Sequence, residues 1–177
     1  MSVYYDFDEV DAFTVGAVGD PGSRVFYLQA RRGAQRVTVK CEKQQAAAIA
    51  EYLRRVLNDL PTPTDKPLAA AMELATPLDA AFVLGPVGLG YDRGHDMVLV
   101  QLEEVAEIPD DESEDDDSGN DDDDADLDRG HLRVFITRSQ AAAFCEHADA
   151  VVSAGRPNCR WCTRPIDPEG HRCPRMN

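Results

Sequence analysis

The sequence predicts an α+β fold: two tandem βββα repeats with antiparallel strands and packed helices, followed by a small C-terminal zinc-knuckle tail. Three observations predict it. Shifting the chain by 95 residues aligns 37–57 with 132–152 without a gap, and seven of 21 positions are identical, including Gln45/Gln140, Ala46/Ala141, Ala47/Ala142 and Glu51/Glu146. Upstream, Phe13-Thr-Val-Gly-Ala-Val-Gly19 matches Phe82-Val-Leu-Gly-Pro-Val-Gly88 at four of seven positions. Self-similarity of this kind marks a supersecondary unit written twice. Finally, three Cys and one His fall within 15 residues near the C-terminus. The expected units are 1–60 (first repeat), 61–81 (connector), 82–152 (second repeat) and 153–177 (tail).

The first strand is expected over 13–19, where Gly16 and Gly19 signal a bulge or a close backbone approach. Asp20-Pro21-Gly22-Ser23 is a turn, with Pro presetting φ and Gly permitting a positive one. Strands over 25–30 and 35–41 follow, joined through Arg31-Arg32-Gly33-Ala34. Val37, Val39 and Cys41 alternate with Arg36, Thr38 and Lys40, which predicts one buried face and one wet face. Ala46, Ile49, Ala50, Leu53, Val56 and Leu57 form an apolar stripe for a helix over 43–59, stopped by Pro61 and Pro63.

The connector should hold a short helix over 68–75. The second unit then places strands at 82–88, 95–105 and 132–136, and a helix from 138 to about 152. Thr137 with Gln140 is a capping-box pair, and Glu42 with Gln45 is its weaker counterpart.

The net charge of −15 belongs to one segment. Residues 110–128 hold 13 acids and no base; without them, 20 acids face 18 bases. That segment has only two apolar residues, Ala125 and Leu127, too few to offset the entropy of ordering it. It reads as a disordered insertion between two strands of the second repeat. With Gly119 at the sixth position of a calcium loop, the twelfth is Ala125 rather than the bidentate Glu, which speaks against calcium. Docking on the Arg-rich tail or on a basic partner is the remaining role. The start of the chain lacks a basic segment followed by an apolar run, and no stretch approaches a membrane span. A cytoplasmic protein without membrane contact is expected.

In that compartment clustered cysteines point to metal or redox chemistry. Cys159-x2-Cys162 aims two thiolates at one ion, the usual first half of a tetrahedral zinc site. Asp167-Pro168-Glu169-Gly170 has the residues of a type I turn, which would bring back His171 and Cys173. As i and i+2 of an extended segment, those two share a face. Cys159, Cys162, His171 and Cys173 are therefore the expected ligands of a Zn2+ ion. A redox Cys-x-x-Cys would need a helix opening at Cys159, which Pro165 opposes. Arg160, Trp161 and Arg164 either form a small partner-binding platform or pack and solvate without further role. Nucleic acid is disfavoured by the acidic run.

Two tetrapeptides, Asp92-Arg-Gly-His95 and Asp128-Arg-Gly-His131, are identical. In an antiparallel meander their histidines fall at opposite ends, so a recurring turn explains them better than a catalytic pair. Cys41 and Cys145 read as small buried hydrophobes, and His147 faces away from Cys145. No phosphate loop, dinucleotide fingerprint or nucleophile elbow occurs.

The segment 13–30, Phe-Thr-Val-Gly-Ala-Val-Gly-Asp-Pro-Gly-Ser-Arg-Val-Phe-Tyr-Leu-Gln-Ala, together with Pro165-Ile-Asp-Pro-Glu-Gly-His-Arg-Cys-Pro-Arg175, resembles an actinobacterial conserved hypothetical family, domain-of-unknown-function family 3090. The resemblance spans nearly the whole chain. It implies the Cys and His of the tail as site residues, and partners encoded beside the family: a phosphoglycerate-mutase-like protein and a phosphatidylinositol-kinase-like protein. Thr163 stands where zinc knuckles often carry Gly.

Taken together, these readings predict a non-catalytic, zinc-binding adaptor or interaction protein. The alternative is an enzyme or small-ligand protein using a cleft between the repeats, lined by Tyr27, Gln29, Arg24 and their second-unit counterparts.

Overall fold

The computed structural model describes residues 3–106, 129–166 and 170–176. The acidic insertion at 110–128 and most of the turn at 167–170 fall outside the described residues. Seven strands form one sheet: β1 (Tyr4–Phe7), β2 (Ala12–Val18), β3 (Val25–Arg32), β4 (Gln35–Cys41), β5 (Ala80–Asp92), β6 (Met97–Glu104) and β7 (His131–Thr137). Helix α1 (Lys43–Asn58) follows β4, and α2 (Arg138–Ser153) follows β7.

The strand order is β1-β7-β6-β5-β4-β3-β2. The meanders β2–β3–β4 and β5–β6–β7 are antiparallel. They meet through a parallel β4/β5 pair, and β1 adds to β7 in parallel. The antiparallel strands expected within each unit are found, while the joins between them are parallel, so the sheet as a whole is mixed. The reason is topological. Helix α1 and the connector carry the chain back before β5 begins, so β5 runs alongside β4 in the same direction. β1 was not foreseen at all: four residues without an alternating pattern give no strand signal.

The sheet must curl. Its edge strands β1 and β2 would lie about 29 Å apart across six flat strand spacings, yet only residues 8–11 join them, a link reaching at most ~18 Å. Helix α2 packs on the β2 edge and reaches the link itself. Gln140 Nε2 donates to the Val10 carbonyl in that link at 2.7 Å, and Phe144 stacks on Phe13 of β2 with ring centroids 5.0 Å apart.

One hydrophobic core draws on both halves of the chain. It includes Phe13, Val15, Leu28 and Val39 from the first meander, Val98, Val100 and Val134 from the second, and Ile49, Leu53 and Phe144 from the helices. Both helix starts are capped as the sequence predicts. Thr137 Oγ1 accepts the Gln140 N–H at 3.1 Å while the Thr137 N–H donates to Gln140 Oε1. The Glu42 N–H donates likewise to Gln45 Oε1 at 2.8 Å.

The connector is a strap over the outer face of β2–β4. Its expected helix is only a 3-10 turn, Ala69–Met72. Thr14 Oγ1 donates to the Met72 carbonyl, Arg36 to that of Thr76, and Gln29 grips Ala75 from both sides, accepting its N–H at 2.8 Å and donating to its carbonyl at 2.9 Å. Leu74 lies where a Cβ on Gly16 would come within 2.5 Å, so the close approach signalled by that glycine is real. The face expected to be wet is thus partly dry: Thr38 is buried and hydrogen-bonded to Gln29.

Candidate metal centre

Beyond α2 the chain turns into a short hairpin stem. Ile166 N–H donates to the Pro157 carbonyl, Asn158 bridges Pro165, and Cys159 N–H donates to the Arg164 carbonyl at 2.8 Å. At its tip Thr163 N–H donates back to the Cys159 carbonyl, also at 2.8 Å. This tight turn holds Thr163 at φ +59°, the left-handed region where a β-branched side chain is strained. Here the Thr-for-Gly departure noted in the sequence has a structural consequence. The turn forms regardless, at a cost of about 1–2 kcal/mol.

The stem places Cys159 and Cys162 on one side, and the segment after Gly170 returns His171 and Cys173 to the other. Gly170 has φ +90°, a reversal open to glycine. One ligand atom from each of the four lies within 4.8 Å of every other. Cys159 Sγ and Cys173 Sγ are 3.8 Å apart, and Cys162 Sγ is 3.3 Å from His171 Nε2. A tetrahedron with zinc–sulfur bonds near 2.3 Å and a zinc–nitrogen bond near 2.0 Å has S···S edges of about 3.8 Å and S···N edges of about 3.5 Å. The donor set fits a metal of that kind. The 3.8 Å gap is far too long for a disulfide, and all five cysteines are free.

The thiols themselves are arranged for ligation. Cys159 is drawn down to about 6, first by the Cys162 backbone N–H and then by that of Trp161, whose nitrogen is 3.5 Å from Sγ. Cys173 is raised, by burial first and by the adjacent thiols of Cys159 and Cys162. A lowered Cys159 beside a raised Cys173 is the ordinary arrangement of such a cluster, because adjacent thiolates repel; a cation removes that repulsion. The remaining cysteines differ sharply. Burial pushes Cys41 up to about 12 and Cys145 to about 11, so both stay thiols at neutral pH and serve as core filler.

Trp161 stands out from the tip, 53% exposed, with the Arg160 guanidinium 5.3 Å over its ring. The expectation that it packs on the body is not met. Arg164 is exposed on the same hairpin, its carbonyl closing the stem.

The suggested cleft residues do not converge. Gln29 is fully buried and spent on the connector, Tyr27 lies on the same face of β3, and Arg24 donates to the Val151 carbonyl at the end of α2 at 3.0 Å. His95 and His131 lie at opposite ends, since Met97 pairs with Thr137 and Glu103 with His131. His95 bonds Asp92 in its own turn, and His131 stacks on Tyr4.

A family model described as "Protein of unknown function (DUF3090)" matches residues 5–173. The chain belongs to this family. The match covers the body and all four candidate ligands. No curated protein and no solved structure matches the chain. No helix among the described residues is long and apolar enough to cross a membrane.

Proposed function

We propose that this chain is a non-catalytic, zinc-binding adaptor of the cytoplasm. Cys159, Cys162, His171 and Cys173 hold Zn2+, and the metal fixes a hairpin whose Arg160, Trp161 and Arg164 face docks a protein partner. The observation that carries the reading is the four-donor cluster with its 3.8 Å and 3.3 Å edges. An exposed Trp stacked under a guanidinium is the kind of side-chain pair that anchors protein interfaces. The partners we propose are the kinase-like and phosphoglycerate-mutase-like proteins associated with the resembling family.

We further propose that the body arose by duplication of one βββα unit. Two contacts between the helices support this: Cys145 Sγ donates to the Ala50 carbonyl, and Arg54 pairs with Asp149. Each joins positions 95 residues apart, the same offset as the sequence match.

The experiment is a binding assay between purified chain and each purified partner. Intact protein should retain one of them, and truncation of 153–177, Trp161→Ala and Cys159→Ser should each abolish retention. Equal retention by the truncated chain would overturn the adaptor reading.

A further inference from the structure

A cavity of about 270 Å³ lies where the knuckle meets the body, lined by Arg24, Lys43, Arg156, Glu42, Asn158 and Pro165. Three of these six are cations and one is an acid; Arg156 has an interaction of its own, so the charge at issue is that of Arg24 and Lys43. Two glycines let the cations crowd in. A Cβ on Gly155 would sit 2.9 Å from Arg24 Nη2 and 3.5 Å from Lys43 Nζ, so both nitrogens border one point. A Cβ on Gly22 would meet the Arg156 guanidinium at 2.7 Å.

The corresponding place in the second half of the chain shows what is unusual here. Lys43 opens α1 and Arg138 opens α2, exactly one 95-residue offset apart. Arg138 is neutralised by Asp96, with Nε and Nη2 on the carboxylate at 2.8 and 2.9 Å. The Lys43 ammonium makes no hydrogen bond or ion pair with the described residues, although Glu42 borders the same cavity. Like charges gathered around a cavity repel, and a bound anion relieves them.

We infer that this cavity binds a small molecule through a phosphate group. Arg24 and Lys43 supply the charge-assisted donors: the Arg24 Nη2 group, its Nη1 being held by the Val151 carbonyl, and a mobile ammonium. The volume lies just below the range of drug-sized sites, so the ligand is inorganic phosphate or a compact phosphoester. The far wall, Asn158 and Pro165, is the bridged pair of the knuckle stem. Loading the metal therefore stiffens one side of the site.

The test is calorimetric titration of the full chain with inorganic phosphate, alongside metal analysis of each sample. Saturable one-site binding is expected, weakened about tenfold by Lys43→Gln and abolished by Lys43→Glu. Lys66→Gln, which removes a cation paired elsewhere with Glu146, should change nothing. Lys43 is exposed, so these variants keep the fold, checked by their melting temperature. Absence of saturable binding, an unaltered Lys43→Gln, or an equal loss in Lys66→Gln would overturn the site. Phosphate binding without a full equivalent of metal would sink the zinc reading alone; metal without phosphate would sink only this inference.

Discussion

The body and the knuckle solve the same problem with opposite means. The body buries a continuous apolar core between a curled sheet and two helices. In the knuckle, Cys159 alone among the described residues from 154 onward is buried. A segment that short cannot offset its ordering entropy by burial. What it has instead is a convergent set of soft donors, whose binding free energy to zinc is about 10–16 kcal/mol in comparable small modules. The contrast is between a part held by its own core and a part whose donors converge on one point, which a metal would join and a chelator would release.

The largest break in that comparison should come from chelation. Stripping metal with EDTA or a stronger chelator should collapse the amide signals of 156–176 in an NMR spectrum and leave those of the body in place. Acidification should do the same gradually. Cys159 has a folded value of about 6 against an ordinary 9.0, so its contribution is complete above pH 9 and fades as pH falls through about 6. Protons compete with a cation for the same thiolates, so metal content should fall as the pH is lowered, measured by a colorimetric zinc indicator.

Next comes the body. Phe144→Ala removes a fully buried ring stacked on Phe13 and should cost about 3–5 kcal/mol in denaturant unfolding, with zinc content unchanged. Gln29→Leu strands both backbone groups of Ala75 and should cost about 1–3 kcal/mol, exposing the connector to proteolysis. The smallest effect sharpens the comparison from the other side. Thr163→Gly relieves the positive φ and should raise the knuckle's zinc affinity by about 1 kcal/mol, without moving the body's melting temperature.

What was legible in the sequence follows the range of the forces involved. The helices could be read because stripe and cap lie within one segment: Ala46, Ile49 and Leu53 on one, Thr137 with Gln140 at the start of the other. The Cys/His cluster could be read because its four candidate ligands sit within 15 residues. The parallel pairings of β1 with β7 and β4 with β5 could not, since no local pattern encodes which distant strand lies alongside. Nor could the role of Gln29. A glutamine inside an alternating strand signals a wet face, and only the connector's path turns it into a buried clamp. The cation cavity was hidden for the same reason, because Arg24, Lys43 and Arg156 come together only in the fold.

The central claim is that a single metal ion pins the C-terminal hairpin through three sulfurs and one nitrogen. X-ray absorption spectroscopy of the purified chain tests it directly. The account predicts one equivalent of zinc with three sulfur neighbours near 2.3 Å and one nitrogen near 2.0 Å. A first shell dominated by oxygen, or zinc well below one equivalent, would contradict it.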